Sequence, residues 1–228
     1  MADVAVIVPV LGRPHHAKTF MESLRANTPK GAVQVYAVPE CQPIDTGTTL
    51  AWQCEPNVCV MEPDAGTHTF AQKVAWAYEN TDEPYLLLVG SDVVFHPWWF
   101  QRAMKVAAKG FGLVATNDLG NRAVMEGRHA THPLIARRYV EEKGASWDGP
   151  GHIVHTGYGH CFIDNEWSVK AIMDGEFAFA RTSVIEHAHP YWGKAEMDDT
   201  YRKGEATVKA DELLFRERCK KYAGLVFA

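Results

Sequence analysis

Short apolar runs alternate with segments of helical spacing in the first half of the chain. The apolar runs occupy residues 4–10, 33–38, 57–61, 85–89 and 113–116. Continuous apolar runs of this length are typical of strands that are buried on both faces of a parallel sheet. Apolar residues recur at helical spacing in the intervening segments 15–26, 67–80 and 97–109. The alternation predicts strand–helix–strand units, and therefore an α/β fold with parallel strands and right-handed crossovers.

The pattern becomes less regular after residue 118. It predicts helices at 132–143, 167–173 and 209–222, and a strand at 177–185. Residues 146–160 contain four glycines and three histidines, a composition that is typical of a mobile or ligand-facing loop. No repeat or linker divides the sequence, and we expect a single domain over residues 1–228.

The most informative stretch is the apolar run 85–89 with the Gly90-Ser91-Asp92 that follows it. Open α/β folds bind their ligands at the carboxyl ends of the strands. A carboxylate at the point where a buried strand leaves the sheet is therefore well placed for function, which makes Asp92 a candidate site residue. The alternative is that Asp92 caps the next turn or loop.

Composition narrows the class of protein. The net charge is −5 and the isoelectric point about 6.1, so no general field attracts nucleic acid, although a local basic groove is compatible with these values. No apolar run approaches the roughly 20 residues that span a bilayer, and no signal-peptide pattern is present. Cys54 and Cys59 are followed by no second close pair, which is a poor zinc signature. We therefore expect a soluble, cytoplasmic protein with reduced cysteines.

The order of the elements resembles that of the GT-A glycosyltransferases, in particular small family 2-like enzymes. The resemblance begins at residues 6–10, where such enzymes begin their nucleotide site, and continues through 35–40. It is most specific at 87–99, which resembles the DXD-type segment of the family and the helix after it. The resemblance implies a Rossmann-like GT-A sandwich with a mostly parallel central sheet. Residues 1–118 would bind the nucleotide, and residues 119–228 would complete the acceptor and metal sites.

The resemblance also assigns residues to a nucleotide-sugar donor. Glu40 or Asp64 would contact the nucleoside. Arg13 and Lys194 could cover the diphosphate and stabilise the leaving group, although both could equally be solvated. The expected donor-binding residues are Pro9, Arg13, Glu40, Asp64, Ser91 and Lys194.

The metal site implied by the resemblance is incomplete at Asp92. A full DXD segment has two acids, whereas residues 91–94 have one, and a single carboxylate binds a divalent cation weakly. In metal-dependent GT-A enzymes a histidine near the end of the catalytic domain often completes the shell, which points to His187 or His189. Alternate residues at a strand end point to opposite sides, so we expect one of them to face the cation. We prefer His189, because Pro190 fixes the turn after it. A pair of surface histidines is the alternative.

The candidate base lies in residues 164–170, which resemble the acidic segment before a helix in inverting family members. An acceptor hydroxyl must lose its proton as it attacks the anomeric carbon, and a nearby carboxylate can take it. Asp164 is the predicted base, with Glu166 in reserve or orienting the acceptor. The alternative is that Asp164 is the N-cap of a helix. The loop 146–160 would close over donor or acceptor.

Together these residues predict a glycosyltransferase with a Mn²⁺ or Mg²⁺ cofactor; imidazole ligands favour Mn²⁺. Asp164 as base predicts inversion, and a retaining mechanism is the alternative if no carboxylate lies on the acceptor side. The acceptor could be a protein, a modified nucleic-acid base or a small molecule. One alternative is a nucleotidyltransferase, although residues 11–14 lack the glycine-rich, lysine-containing signature of that class. The other is a non-catalytic nucleotide- or sugar-binding module, which the single acid at Asp92 would suit.

Overall fold

The computed structural model describes residues 2–40 and 45–224. The elements up to residue 118 are β1 (Val4–Pro9), α1 (Pro14–Asn27), β2 (Val33–Val38), α2 (Thr46–Gln53), β3 (Val58–Val60), α3 (Phe70–Glu79), β4 (Tyr85–Leu88), β5 (Val93–Phe95), α4 (Trp99–Ala107) and β6 (Leu113–Asn117). The later elements are α5 (Arg122–Met125), β7 (Pro133–Ala136), α6 (Arg137–Lys143), α7 (Ile163–Met173), β8 (Phe177–His187), α8 (Asp199–Glu205) and α9 (Val208–Arg218).

The strands of the described residues form one sheet in the order β3-β2-β1-β4-β7-β6-β8-β5. Four neighbouring pairs are parallel, namely β1 with β2, β1 with β4, β2 with β3, and β6 with β8. β7 runs antiparallel to β4 and β6, and β5 runs antiparallel to β8. The predicted α/β fold with a mostly parallel sheet is therefore confirmed.

Side-chain alternation along the strands divides the core into two layers. Val4, Val6 and Val8 of β1 pack with α1, α2 and α4, whereas Ala5 and Ile7 pack with α3, α6, α7 and α9. Successive strand residues point to opposite faces, and helices cover both faces of this sheet. This is why β1 is apolar at every position and reads as a continuous run in the sequence.

The turn between β4 and β5 brings Asp92 to the end of β8. Val93 pairs with His187 in the antiparallel ladder, and the amide of Ala188 donates to the carbonyl of Asp92 at 2.9 Å. A Cβ atom at Gly90 would lie 2.5 Å from Oδ1 of Asp92, so only glycine allows the carboxylate to fold back in this turn. Two segments far apart in sequence therefore meet through main-chain pairing.

Residues 132–143 differ from the predicted single helix. The segment is a strand, β7, that leads directly into α6. All four residues of β7 are buried between β4 and β6. Pro133 is tolerated because it is the first residue of the strand, where a missing N–H removes little of the ladder. The sequence pattern does not separate a four-residue strand from a helix that begins at the next residue.

Residues 146–160 form no helix or strand, as predicted for a loop, and four of them are buried whereas seven are exposed. Whether the loop is mobile stays a prediction. Ser146, Ile153, Val154 and Tyr158 are all buried. The guanidinium of Arg218 reaches the loop from the end of α9 and donates to Ser146 Oγ at 3.1 Å. The glycines allow tight turns, but the segment is fixed by side chains that come from elsewhere in the chain.

The helices of the fold are short. The 14 residues of α1 are the most that any helix reaches within the described residues. None of the described helices has the length and apolar composition that crossing a membrane requires.

Candidate active site

A cavity of about 630 Å³ opens at the carboxyl ends of β1 and β4. One side, the strand wall, consists of Pro9, Arg13, Glu40, Lys73 and the turn 90–92. The other side, the helix wall, consists of residues 159–165 and the lining residues of 200–208. The predicted site residues that line the cavity are Pro9, Arg13, Glu40, Ser91, Asp92, Asp164, His187 and His189.

Asp92 is the most enclosed acid of the cavity, with its side chain 7% exposed. Its Oδ2 accepts a hydrogen bond of 2.8 Å from the Tyr201 hydroxyl and lies 3.4 Å from His187 Nε2. Arg13 Nη1 is 3.6 Å from the same oxygen. Burial raises the pKa of Asp92, but its contacts with His187, Tyr201 and Arg13 outweigh burial and hold the pKa well below its usual range. The carboxylate is therefore ionised, and the N-cap of the helix that follows, α4, is Trp98 and not Asp92.

Arg13 links the strand wall to α8. Its guanidinium donates two hydrogen bonds to Asp198, of 2.8 and 2.7 Å, and lies 3.5 Å from the centre of the Tyr201 ring. Thr200 Oγ1 donates to the carbonyl of Leu11 at 3.3 Å. The charged tail has no apolar pattern that would predict α8, so its place beside the cavity could not be predicted from the sequence.

His187 and His189 both line the cavity, but they differ in what they offer a cation. Burial and then the charge of His187 lower the pKa of His189 to about 4, so its ring is neutral at pH 7. Its Nδ1 accepts the amide of Tyr191 at 3.2 Å, which places the ring proton on Nε2 and leaves no lone pair. β8 ends at His187, so strand alternation does not separate the two rings. Of the two rings, His187 is the one beside Asp92, with its Nε2 3.4 Å from Oδ2, and the choice between them as a cation ligand stays a prediction.

The pair Asp92 and His187 fits a divalent cation in its chemistry, because carboxylate oxygen and imidazole nitrogen are donors that Mn²⁺ accepts. The arrangement is not that of a ready-made metal centre. Among residues 2–40 and 45–224, no three His, Cys, Asp or Glu side chains are grouped to hold an ion. Tyr201 and Arg13 also share the carboxylate oxygen. A cation would therefore have to share that oxygen or displace them.

Asp164 stands on the helix wall in the first turn of α7. The N-cap of this helix is Phe162, so the alternative that Asp164 is the cap is wrong. Asp164 Oδ2 lies 2.9 Å from Nε2 of the buried His129. Burial raises the pKa of Asp164, but the charge and hydrogen bond of His129 outweigh it, and the pKa is lowered. The carboxylate is ionised at neutral pH and faces the cavity.

Two residues that the sequence analysis missed shape the cavity. Lys73 is 3% exposed, and its Nζ donates to the carbonyl of Val10 at 3.1 Å. Asp211 accepts the amides of Gly159, His160 and Cys161 at 2.8 to 2.9 Å, which fixes the start of the helix wall. Lys73 follows Phe70 by three residues and lies on the apolar face of α3. A lysine among the apolar positions of a helix is the sequence feature that could have identified it.

Glu166 lies outside the cavity, which corrects its predicted role as reserve base. Its side chain is 2% exposed, and both oxygens accept hydrogen bonds from Arg218 at 2.7 and 2.8 Å. Ser146 and Tyr158 donate to the same carboxylate. Asp164 and Glu166 are two positions apart on a helix and so point in different directions. Glu166 is a structural anchor of the loop 146–160.

Asp64 and Lys194 also lie outside the cavity. Asp64 is exposed after β3 and accepts the indole N–H of Trp76 at 3.3 Å. Lys194 Nζ donates to Glu186 at 2.6 Å and to the carbonyl of Leu119 at 3.2 Å. These partners turn the lysine away from the strand wall, so neither residue is placed to contact a donor in this conformation.

Solved structures share this architecture at low sequence identity. The mannosyltransferase PcManGT from Pyrobaculum calidifontis, in complex with GDP-Man and Mn²⁺, matches with a TM-score of 0.67 and 17% identity over 93% of this chain. S. aureus TarS 1-349 matches at 0.60 and 12% identity over 81% of this chain in its complex with UDP. A second TarS 1-349 structure matches at 0.61 and 10% identity over 97% of this chain. The fold is that of the GT-A glycosyltransferases.

The GT-A resemblance predicted from the sequence is thus confirmed at the level of the fold. No protein-family model and no curated protein matches the chain. The chain spans 64% of the PcManGT structure and 59% of the UDP-bound TarS structure, so parts of both have no counterpart here.

Proposed function

We propose that the protein is a glycosyltransferase that moves a sugar from a nucleotide-sugar donor to an acceptor hydroxyl. The observation that supports it is the set of charged side chains that line one cavity of a GT-A fold. The strand wall carries two buried cations, Arg13 and Lys73, beside the acids Glu40 and Asp92, and the helix wall carries the ionised Asp164. Sugar transfer from a diphosphate needs positive charge and a base, because a phosphate leaves while a hydroxyl gives up its proton.

The donor would lie along the strand wall, where GT-A folds have the carboxyl ends of their parallel strands. Glu40 lines the cavity after β2 and would accept hydrogen bonds from the nucleoside. Arg13 and Lys73 would face the diphosphate, since both are buried cations whose charge is little screened by water. Ser91 and Pro9 complete this wall next to the phosphates.

Asp92 and His187 are the residues that would hold a divalent cation. Bound there, Mn²⁺ or Mg²⁺ would supply positive charge that neutralises the departing diphosphate. The low pKa of Asp92 keeps the carboxylate available to such a charge at every physiological pH. Arg13, next to Asp92, supplies positive charge to the same region from the chain itself.

The transfer step proposed for these residues is a single displacement. The acceptor oxygen forms a bond to the anomeric carbon while the bond from that carbon to the phosphate oxygen breaks. The nucleoside diphosphate leaves with the electron pair, and the acceptor proton goes to Asp164. Because attack and departure take place on opposite faces of the sugar, the configuration inverts.

Release of nucleoside diphosphate from a panel of nucleotide-sugars tests this function. Water serves as acceptor where the natural one is not known, and candidate proteins, modified nucleic-acid bases and small molecules are then added. We expect release from at least one donor, its reduction by EDTA, and its loss in Asp164→Asn. Turnover that Asp164→Asn leaves unchanged would contradict the proposed base.

The same assay separates the alternatives. A nucleotidyltransferase would release pyrophosphate from a nucleoside triphosphate and a sugar phosphate. A binding module would hold the donor in calorimetry and release nothing, and binding that is equal in wild type and Asp92→Ala would argue against the transferase.

A further inference from the structure

His129 is a buried histidine that has no role in the transfer step proposed above. It is 7% exposed and lies between α5 and β7, on a segment that faces α7. Its Nε2 is 2.9 Å from Asp164 Oδ2. A histidine that contacts one oxygen of the proposed base can fix both the direction and the charge state of that base.

Two hydrogen bonds of the Ser168 hydroxyl hold His129 and Asp164 at a fixed distance from each other. The amide of Ala130, next to His129, donates to Ser168 Oγ at 3.0 Å. Ser168 Oγ in turn donates to the carbonyl of Asp164 at 2.7 Å. Ala130 and Ser168 are both buried. The segment that carries the histidine is therefore joined to the first turns of α7, and the distance between imidazole and carboxylate is fixed on both sides.

A second carboxylate acts on His129 from the turn after β6. Asp118 is fully buried, and its oxygens accept the amides of Gly120 and Asn121 and the hydroxyl of Thr131. Burial lowers the pKa of His129, but Asp164 and then Asp118 outweigh it, so the pKa is raised above its ordinary value of 6.5. His129 thus keeps its proton to a higher pH than an imidazole in water does.

Besides the carboxylate of Asp118, two histidines and a thiol lie near the pair, and all three are neutral at pH 7. Burial, with the charge of His187, lowers the pKa of His132 to about 3. Burial also lowers the pKa of His160 and raises that of the Cys161 thiol to about 11. Of these three histidines, His129 is the one whose pKa is raised.

We propose that His129 is a positioning residue that holds Oδ2 of Asp164 and sets the pH range in which that carboxylate accepts the acceptor proton. The proposal rests on the proposed role of Asp164 as base. A charged His129 stabilises the carboxylate and weakens it as a base. A neutral His129 that still donates from Nε2 keeps the orientation and leaves a stronger base.

These two charge states of His129 predict how turnover changes with pH. Turnover of the wild type rises with pH through the pKa of His129, above 6.5. His129→Gln keeps an N–H donor of similar reach but carries no charge. We expect its turnover to rise at a pH below 6.5, with the KM for the donor unchanged. His129→Leu loses the donor as well, and we expect kcat to fall about 10- to 100-fold with the same KM.

Two measurements test this proposal together. The pH profile of donor hydrolysis is recorded for wild type, His129→Gln and His129→Leu, with nucleotide binding and thermal melting as checks on folding. The ring of His129 is titrated by NMR in wild type and in Asp164→Asn, which needs no turnover. We expect a pKa above 6.5 in the wild type that falls when the carboxylate charge is removed.

The outcomes separate this inference from the proposed function. A His129→Gln profile identical to the wild type, or a wild-type His129 that titrates below 6.5, would overturn the positioning role even if Asp164→Asn is inactive. An active Asp164→Asn would overturn the proposed base, whatever the titration shows. The result that supports both the positioning role and the proposed base has two parts. The rise in turnover of His129→Gln occurs at lower pH than in the wild type, and the pKa of His129 is above 6.5 in the wild type and falls in Asp164→Asn.

Discussion

The two walls of the cavity are built in different ways. The strand wall takes most of its residues from the carboxyl ends of neighbouring strands and the turns after them, so backbone pairing positions Pro9, Glu40 and Asp92. The helix wall is held by buried charged side chains instead. Arg218 and Asp211, both from α9, fix the loop before α7 through Glu166 and through the amides of residues 159–161.

Because of this difference, we expect substitutions at the two walls to act in different ways. A change at the strand wall alters groups that would touch a ligand. A change at the helix wall acts through charged partners outside the cavity, because removing one partner leaves the other buried without compensation.

Arg218→Met should cause the largest loss of stability. The side chains of Arg218 and Glu166 are 8% and 2% exposed, and breaking such a buried pair costs about 3–5 kcal/mol. Urea denaturation measures the change. The matched control is Arg202→Met, which removes an ion pair whose arginine is 61% exposed and should cost at most about 1 kcal/mol. Similar losses in the two variants would show that the helix wall does not depend on the buried network.

Asp92→Asn should abolish most activity while the fold persists. The substitution keeps the shape of the side chain but removes the charge that faces Arg13 and His187. Loss of one preorganised electrostatic group typically lowers kcat about 10²–10³-fold. Donor hydrolysis gives the rate, and Asp199→Asn, at a side chain that is 92% exposed, is the control. An Asp92→Asn rate within a few-fold of the control would exclude a central role for this acid.

Acid should weaken the helix wall selectively. Burial raises the pKa of Glu166, but the hydrogen bonds and charge of Arg218 and the hydroxyl donors outweigh it and lower the pKa. A carboxylate with a depressed folded-state pKa contributes stability above its unfolded pKa, about 4.3, and loses it as the pH falls through the folded value. Urea midpoints between pH 7 and pH 3 should therefore fall more steeply for wild type than for Glu166→Gln. Parallel curves would show that this carboxylate does not set the acid sensitivity.

Lys194→Met should have the smallest effect. The lysine pairs with Glu186 at a side-chain exposure of 26%, and partly exposed pairs of this kind contribute about 0–1 kcal/mol. Donor KM should be unchanged, because the side chain lies outside the cavity. A several-fold rise in KM would restore the role that the sequence analysis assigned to Lys194.

The sequence predicted the strand wall well for a physical reason. Apolar runs that end at a polar turn identify both a buried strand and the edge where ligands bind, so Asp92 could be found without tertiary information. Glu166 could not be assigned in the same way. A buried structural carboxylate and a catalytic one have the same local sequence, and the partner that distinguishes them, Arg218, lies 52 residues away.

The remaining misses have the same origin. Asp198 and Tyr201 sit in a charged tail that is typical of solvated surface, and their contacts with Arg13 depend on the whole fold. β7 was hidden because a four-residue strand continues into α6. The division at residue 118 stays a prediction, although β7 and β8 of the second half lie within the same sheet.

The contact between Arg13 and Asp198 also bears on how the protein is made. It joins residues 185 positions apart, so it forms only after Asp198 has left the ribosome. At about 5–20 residues per second, the sheet edge that carries Asp92 is synthesised several seconds before Tyr201, its hydroxyl partner. Until Asp198 and Tyr201 have been added, a nascent chain carries an arginine and an acid that lack these partners, and the cavity is not complete.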